Sequence, residues 1–431
     1  MTVCFATLGC KVNQYDTQAM LEQFVASGYE PASPGAKADI YVINTCTVTG
    51  AGDQKSMKLV RRCHRCNPMA ELVIAGCLAQ RMGEELRYTG ARLILGTQYR
   101  GRVVELLERA MAENTQTVAV SRLDSAPYEA LSIRGHQGHT RAVVKIQEGC
   151  DCQCSYCVIP SVRGGVRSRP LESIREEAAA LGRAGFVELV LTGIHLTSYG
   201  KDLPGRPGLA EAVEAACGRR EIRRIRLGSL EPGVADDAFL KAMRKLPAFC
   251  PQFHLALQSG SDRVLSRMRR RYDTAQFEAA VRKIRAAYEN AAITSDVMVG
   301  FPGETEAEFR ETLAFCQRIG FAKTHVFPFS PREGTPAAAM PGQIPEAVRR
   351  ERARCLIRVG EELAEAYRLR QLGGSREVLL EEQRPDGTWE GYTPEYVHTL
   401  VEDGKTCGRG RIVPVRMERL TREGIAGAVV E

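Results

Sequence analysis

Short apolar runs alternate with amphipathic stretches over the first hundred-odd residues. TVCFATL, DIYVIN, ELVIAG and RLIL read as strands, with helices expected near 14–28, 53–65 and 101–113 between them. Such alternation predicts a parallel sheet covered by helices. From about Asn114 to Thr140 the pattern dissolves into polar residues, GHQGH among them, and a linker is expected. A second alternating region follows, in which RAVVKIQ, VELVLTG, IRRIRLGS, QFHLAL, AAITSDVMVG and THVFPF are six strands separated by helix-length segments. Six such units predict a partial or full (β/α) barrel, with its chemistry at the C-terminal strand ends. Beyond a charged helical stretch at 346–371, EVLLEEQ, TLVEDG and GRIVPVRM alternate with turn signals and predict a small all-β barrel. The expected division is 1–116, a linker at 117–140, 141–372 and 373–431.

A chain of 431 residues is too long for one ordinary core, so several domains fit. No apolar run approaches the roughly 20 residues that span a bilayer, so no membrane association is expected. The opening MTVCFATLGCKVN lacks the basic-then-apolar layout of a signal peptide, and the cytoplasm is the expected compartment. There the fifteen cysteines are not expected to form structural disulfides, and those that cluster point to metal ligation or thiol chemistry. A net charge of +7 permits a polyanionic partner without requiring one.

Four cysteines stand in EGCDCQCSYCVIP. Cys150, Cys154 and Cys157 have the spacing C-x3-C-x2-C after the strand RAVVKIQ. Three thiolates on one loop hold three corners of a cubane cluster and leave one iron open. A structural zinc would take Cys152 as fourth ligand, but no second cysteine or histidine pair stands at a matching short distance. Cys152 is expected to point away from the others and to be dispensable. Cys10, Cys46 and Cys77 each follow an apolar strand, so a parallel sheet would carry all three to one edge. Position alone leaves two readings open for them, a second cluster or three buried small hydrophobes.

The C-x3-C-x2-C followed by VIP resembles the signature of the radical S-adenosylmethionine enzymes, with Tyr156 at the position near the cofactor adenine. LGCKVNQYDT, NTCTV and GCLAQR resemble the N-terminal domain of one branch of that family, the tRNA methylthiotransferases. LTGIHLTSYG, IRLGSLEP, LALQSGSDRVLSRMRRRY, SDVMVGFPGET and FPFSPREGTPA extend the resemblance over nearly the whole chain. It implies two [4Fe–4S] clusters. The one on Cys150, Cys154 and Cys157 would bind and cleave S-adenosylmethionine to a 5′-deoxyadenosyl radical. The auxiliary one on Cys10, Cys46 and Cys77 would carry the sulfur that is methylated and delivered to C2 of a tRNA adenine. LTGIHLTSYG, LGCKVNQYDT and RSRP at 167–170 resemble the branch acting on threonylcarbamoyladenosine at tRNA position 37. The isopentenyladenosine branch and a branch modifying a protein side chain are the alternatives, and a zinc-bearing RNA-binding protein is the non-enzymatic one. Implied partners are a tRNA anticodon stem-loop, a flavodoxin-type electron donor and a sulfur source.

Polar residues at the barrel strand ends are expected to touch cofactor or substrate: Thr192 and Gly193 on the second strand, Ser229 and Glu231 on the third, Gln258 and Ser259 on the fourth. Asp296, within the fifth strand, joins them. Ser229 and Ser259 also suit turn and capping roles. His195 is either a substrate-side residue or a packed loop histidine. Cys63 and Cys66 lie one turn apart on an expected helix and suit a structural role better than a metal site. Cys4, Cys217, Cys250, Cys316 and Cys355 sit in apolar segments. Arginine clusters at 61–65, 163–169, 219–226 and 267–271 offer phosphate contacts. GYTPEYVHTLVED resembles the TRAM domain. Residues 376–431 are net acidic, yet Lys405–Arg422 carries six basic residues against one acidic, a basic edge for RNA.

Overall fold

The computed structural model describes residues 1–124, 126–218, 220–402 and 408–430. Six parallel strands, β1 (Thr2–Thr7), β2 (Glu30–Pro31), β3 (Ile40–Thr45), β4 (Glu71–Gly76), β5 (Leu93–Leu95) and β6 (Thr117–Ala119), form the first sheet in the order β2-β1-β3-β4-β5-β6. Helices α1 (Lys11–Ala26), α2 (Gly50–Cys66), α3 (Cys77–Met82) and α4 (Val103–Ala112) cover it. β3 is buried along its whole length, as a central strand covered on both faces must be.

Two details depart from expectation. α1 begins at Lys11 rather than near 14, because its inward positions Asn13 and Asp16 are polar and interrupt the apolar period. The segment expected as a linker carries β6, and beyond it Leu131 and Ile133 are buried in the central core. The Tyr15 hydroxyl donates to the Leu131 carbonyl at 2.7 Å.

The second unit contains the six expected strands as β7 (Ala142–Lys145), β10 (Glu188–Thr192), β11 (Arg224–Leu227), β13 (Gln252–Leu255), β14 (Ala292–Val299) and β15 (Lys323–Pro328). Short strands β8 (Gln147–Glu148) and β9 (Arg167–Ser168) form an antiparallel ribbon beside the cysteine loop, and β12 (Ser229–Leu230) pairs with β13. The sheets β11-β10-β7 and β12-β13-β14-β15 are parallel and meet at an Ile225–Phe249 bridge, giving an open partial barrel. Around it run α5 (Ile159–Arg163), α6 (Leu171–Arg183), α7 (Leu209–Cys217), α8 (Asp237–Arg244), α9 (Asp262–Arg267), α10 (Thr274–Ala287), α11 (Glu306–Ile319), α12 (Pro336–Ala339) and α13 (Glu346–Leu369). Local signals fix their ends. At α11 the Thr305 hydroxyl accepts from Glu308 N–H while the Glu308 carboxylate accepts from Thr305 N–H, and left-handed Gly320 closes the helix.

The last unit is a closed barrel of β16 (Ser375–Gln383), β17 (Trp389–Tyr392), β18 (His398–Glu402), β19 (Ile412–Leu420) and β20 (Ile425–Val429), in the order β16-β17-β18-β20-β19. Val413, Val415 and Met417 point inward from β19 while Arg416 and Glu418 face water. This barrel seals the N-terminal end of the central strands. Arg224 donates to the carbonyls of Tyr392 and Glu377 at 2.9 and 2.8 Å, and the Arg226 guanidinium lies 4.6 Å from the Tyr396 ring centre. Arg141 sits against Tyr392 and Tyr396 and pairs with Glu381.

Candidate active site

The loop after β8 carries Cys150, Cys154 and Cys157. Gly149 makes its entry possible, since φ is +72° and a Cβ there would lie 1.8 Å from the Gly165 carbonyl oxygen. Ser155 N–H donates to the Met268 carbonyl at 3.1 Å, its hydroxyl to Arg267 at 2.8 Å, and its carbonyl accepts from Ala337. Each sulfur receives a donor: Cys150 from Cys152 N–H at 3.3 Å, Cys157 from Ile159 N–H at 3.4 Å, and Cys154 from Arg270 at 3.1 Å. Donors aimed at sulfur suit metal-bound thiolates. Burial pushes the free Cys157 thiol up to about 11, so bound metal is what would make it a ligand near neutral pH.

Cys152 corrects the expectation that it points away. It is buried, its sulfur lies 3.9 Å from His195 Nε2, and Cys150, Asp151, Cys152 and His195 bring ligand atoms within 4.8 Å of one another. His195 is a packed loop histidine. Its N–H donates to Gln147 at 2.7 Å, Nδ1 bonds Ser198 at 2.6 Å, and Nε2 lies 3.2 Å from Glu231. Burial alone would lower its pKa, but Cys152 and Glu231 outweigh that and raise it to about 9.

Cys10, Cys46 and Cys77 follow β1, β3 and β4 and meet at one sheet edge. Gly9 packs against Cys46, where an added Cβ would lie 2.8 Å from that of the cysteine. Gly76, at φ +94°, has no room for a side chain beside Asn44 and Thr45. Cys10 is exposed, Cys46 half-buried and Cys77 buried, so the edge is most open at Cys10. Arg163, six residues beyond Cys157, joins the two sites: its Nε donates to Cys77 Sγ at 3.2 Å and its other nitrogens bond Asn13, Asp16 and Glu148. Asp16, Arg100, Lys145, Glu148 and Arg163 form one buried ionic cluster between α1 and the cysteine loop. On the opposite seam, Arg332 beyond β15 pairs with Asp53 at 2.6 Å. The N-terminal unit thus bridges both edges of the open barrel.

The barrel interior is polar. Val143, Val190 and Arg226 share one row, His254, Thr294 and Lys323 a second, Asp296 and His325 a third. His254 Nε2 lies 3.4 Å from Asp296 and its Nδ1 3.0 Å from Thr294 Oγ1. Lys11, next to Cys10, faces a cavity of about 570 Å³ with Gln14, Arg141, Val143 and Val190 and, from the C-terminal barrel, Glu381, Glu382, Trp389 and Tyr396. Burial, then Arg141 and Arg226, lower the Lys11 pKa, and it has no ion-pair partner among the described residues, whereas Arg141 and Arg226 are held by Glu381 and Glu188.

The other expected contacts divide. Tyr156 packs edge-on against Phe301 beside the cysteine loop. Gly193 lets Gln147 approach, since a Cβ there would lie 2.8 Å from its side chain. The Thr192 carbonyl is occupied by Ile146 N–H at 2.9 Å. Glu231 is bound by Arg270 at 2.6 Å as well as by His195. Gln258 has φ +67° and a buried Oε1 with no partner among the described residues. Ser229 belongs to β12, not to the end of β11, and is exposed; Ser259 is buried, bonding Thr312 and Ser261 in a turn role.

Three of the four arginine clusters turn part of their charge inward, a partial correction to their expected phosphate role, while Arg220, Arg223, Arg269 and Arg271 stay exposed. Arg163, Arg167 and Arg169 are buried, as are Arg224 and Arg226, and Arg270 is bound by Glu231 and Cys154. α9 ends at Arg267, so RMRRRY is not one helix. Arg219, Lys405 and Cys407 lie outside the described residues. Cys63 is buried and Cys66 exposed, both on α2 and remote from either cysteine triad. Cys4, Cys250 and Cys316 are buried, while Cys217 and Cys355 are only half-buried. Sequence reasoning missed Lys11 and Gln147 and gave Arg163 the wrong role, because their contacts come from residues distant in the chain.

Comparison with known proteins follows the same division. Residues 144–316 match the radical SAM superfamily, and residues 2–96 match an uncharacterized protein family, UPF0004. The threonylcarbamoyladenosine tRNA methylthiotransferase MtaB of Bacillus subtilis (strain 168) is 39% identical over 423 residues, covering 96% of this chain and 93% of that one. The tRNA-2-methylthio-N(6)-dimethylallyladenosine synthase of a Parafrankia species is 37% identical, over 87% and 77%. The radical S-adenosylmethionine methyltransferase TsrM of Kitasatospora setae, solved with cobalamin and a [4Fe–4S] cluster, shares the fold at a TM-score of 0.56 and 15% identity, over 78% and 77%. No helix among the described residues is long and apolar enough to cross a membrane. With both domains matched and relatives aligning nearly end to end, the chain belongs to the radical S-adenosylmethionine tRNA methylthiotransferases, in the MtaB-type branch.

Proposed function

We propose that the enzyme converts N6-threonylcarbamoyladenosine at tRNA position 37 to its 2-methylthio derivative in the cytoplasm. Cys150, Cys154 and Cys157 hold the cluster that takes S-adenosylmethionine, and Cys10, Cys46 and Cys77 hold an auxiliary [4Fe–4S] cluster. The observation that carries the choice of substrate is Lys11, a cation without an ion-pair partner beside Cys10 in a polar barrel. A threonylcarbamoyl group brings a carboxylate, whereas an isopentenyl group brings only hydrocarbon and would favour an apolar lining.

When bound, the groups supply the electron that cleaves S-adenosylmethionine and the sulfur that is transferred, which no side chain here can provide. The chain's own residues orient. Gln258 offers a free Oε1 to the cofactor, Tyr156 offers a ring face, and Arg270 and Glu231 frame the third wall. Arg163 and Asp16 tie the N-terminal unit to the cysteine loop, and the C-terminal barrel packs on the N-terminal strand ends. A small electron carrier of flavodoxin type and an external sulfur source complete the partners.

Nucleosides from tRNA of cells lacking the gene, analysed by mass spectrometry, should lose 2-methylthio-N6-threonylcarbamoyladenosine and accumulate its precursor. Unchanged levels in a strain with no second such enzyme would rule the substrate out. One alternative has its own observation: Cys150, Asp151, Cys152 and His195 are close enough for a single zinc ion, whose tetrahedral ligands stand about 3.8 Å apart. That geometry would take Cys150 from the cluster, so iron and zinc analysis separates the readings.

A further inference from the structure

α2 differs from the other exposed helices in how its charge is compensated. Lys55, Lys58, Arg61, Arg62 and Arg65 are all exposed, and none has an ion-pair partner among the described residues. At 100° per residue they fall within an arc of about 120°, opposite the buried Ser56, Val60 and Cys63. Five of their pairings are cation against cation at i,i+3 or i,i+4, spacings that repel. Elsewhere the chain places a carboxylate at these spacings: Arg102 and Arg109 with Glu105 on α4, Arg310 with Glu306 on α11, Arg350 with Glu346 on α13. The one acid of α2, Asp53, is taken by Arg81 and Arg332. The helix dipole accounts for Arg65 in the last turn but not for Lys55 or Lys58.

The stripe also has a fixed relation to the active site. The Ser56 hydroxyl donates to the Cys46 carbonyl at 3.2 Å, so the cations begin within a turn of the auxiliary triad. They extend about 15 Å away from it. Tyr88, 72% exposed, adds an aromatic surface beside Arg61 and Arg65. Of the four arginine clusters, this is the one whose described arginines are all exposed and without an ion pair.

We propose that the basic face of α2 docks the phosphate backbone of the anticodon stem while the loop enters the barrel. This rests on the proposed tRNA substrate. RNA is favoured over an acidic protein because the cations form a continuous track with no acid on it and an exposed aromatic ring beside it.

The test uses reconstituted K58Q/R61Q/R65Q enzyme, whose glutamines keep helix propensity and relieve repulsion. Its iron content and its cleavage of S-adenosylmethionine without RNA should equal those of the wild type. Binding to full-length tRNA carrying threonylcarbamoyladenosine should weaken at least tenfold. The slope of log affinity against log salt should flatten by about two to three. Binding to a stemless heptanucleotide carrying the same base should change less than twofold. A control lacking three cations elsewhere, R310Q/R318Q/R350Q, should bind tRNA nearly as the wild type does. An unchanged tRNA affinity and slope, or an equal loss in the control, overturns the proposal. So does unchanged tRNA binding with slower reduction by an acidic flavoprotein, which would assign the face to the electron donor. Failure of the substrate reading is visible separately, as wild-type enzyme that leaves this tRNA unmodified.

Discussion

Asp16→Asn removes one charge from the cluster that locks the N-terminal unit to the cysteine loop. The Asp16 carboxylate pairs with Lys145 at 2.6 Å, with Arg163 at 3.1 Å and with Arg100, all with side chains at most 1% exposed. Burial alone would raise its pKa, but Arg100, Lys145 and Arg163 hold it below the usual carboxylate value. At an effective permittivity of about 20, the Lys145 contact alone corresponds to about 6 kcal/mol of attraction. Desolvation offsets much of that. Leaving the cations short of one partner costs about 3–5 kcal/mol net. Asparagine is nearly isosteric and keeps an acceptor oxygen, so the loss measures charge rather than volume. Urea unfolding of reconstituted enzyme should show a fall in this range, without loss of the helix signal before unfolding. A change below about 1 kcal/mol would refute the view that this buried cluster holds the interface.

Arg163→Gln should make auxiliary iron about 10–100-fold easier to remove with a chelator, since the donor to Cys77 is lost; equal removal rates would contradict the contact. Lys11→Met should abolish a preference of about 10–100-fold for a threonylcarbamoyladenosine stem-loop over its methyl ester, measured by binding, and persistence of the preference would place the carboxylate elsewhere. Burial, then His139, pushes the His136 pKa down to about 4, and its Nδ1 accepts from Val143 N–H at 3.1 Å. The unfolded chain therefore binds the extra proton first. Stability from this site is present above about pH 6.5 and lost toward pH 4, by up to about 3 kcal/mol, a slope that His136→Asn should flatten in urea titrations. Cys152→Ala should retain its iron; a protein that loses it would make Cys152 a ligand.

Strand positions were readable because apolar runs of four to eight residues bounded by turn residues have few alternatives, and all six central strands occur where expected. The shared edge of Cys10, Cys46 and Cys77 was readable from the rule that residues after parallel strands end together. Position alone left a cluster and buried hydrophobes open, and the cluster reading came from the resemblance. What sequence misplaced was charge. Arg163, Arg169, Arg224 and Arg226 read as a nucleic-acid surface, yet each meets a carboxylate or a row of carbonyls supplied from far along the chain. Asp16 and Asn13 blurred the start of α1 for the same reason: polar side chains buried at an interface carry no periodic signal. Cys152 was misjudged because its neighbour His195 arrives from a loop 43 residues later.

Anaerobic reconstitution with metal and sulfide analysis tests the two-triad site most directly. Two [4Fe–4S] clusters give about eight irons per chain, falling to about four when either Cys10, Cys46 and Cys77 or Cys150, Cys154 and Cys157 are replaced by alanine. About four irons unaffected by loss of the first triad would contradict the auxiliary cluster, and stoichiometric zinc with no sulfide would contradict the enzyme itself.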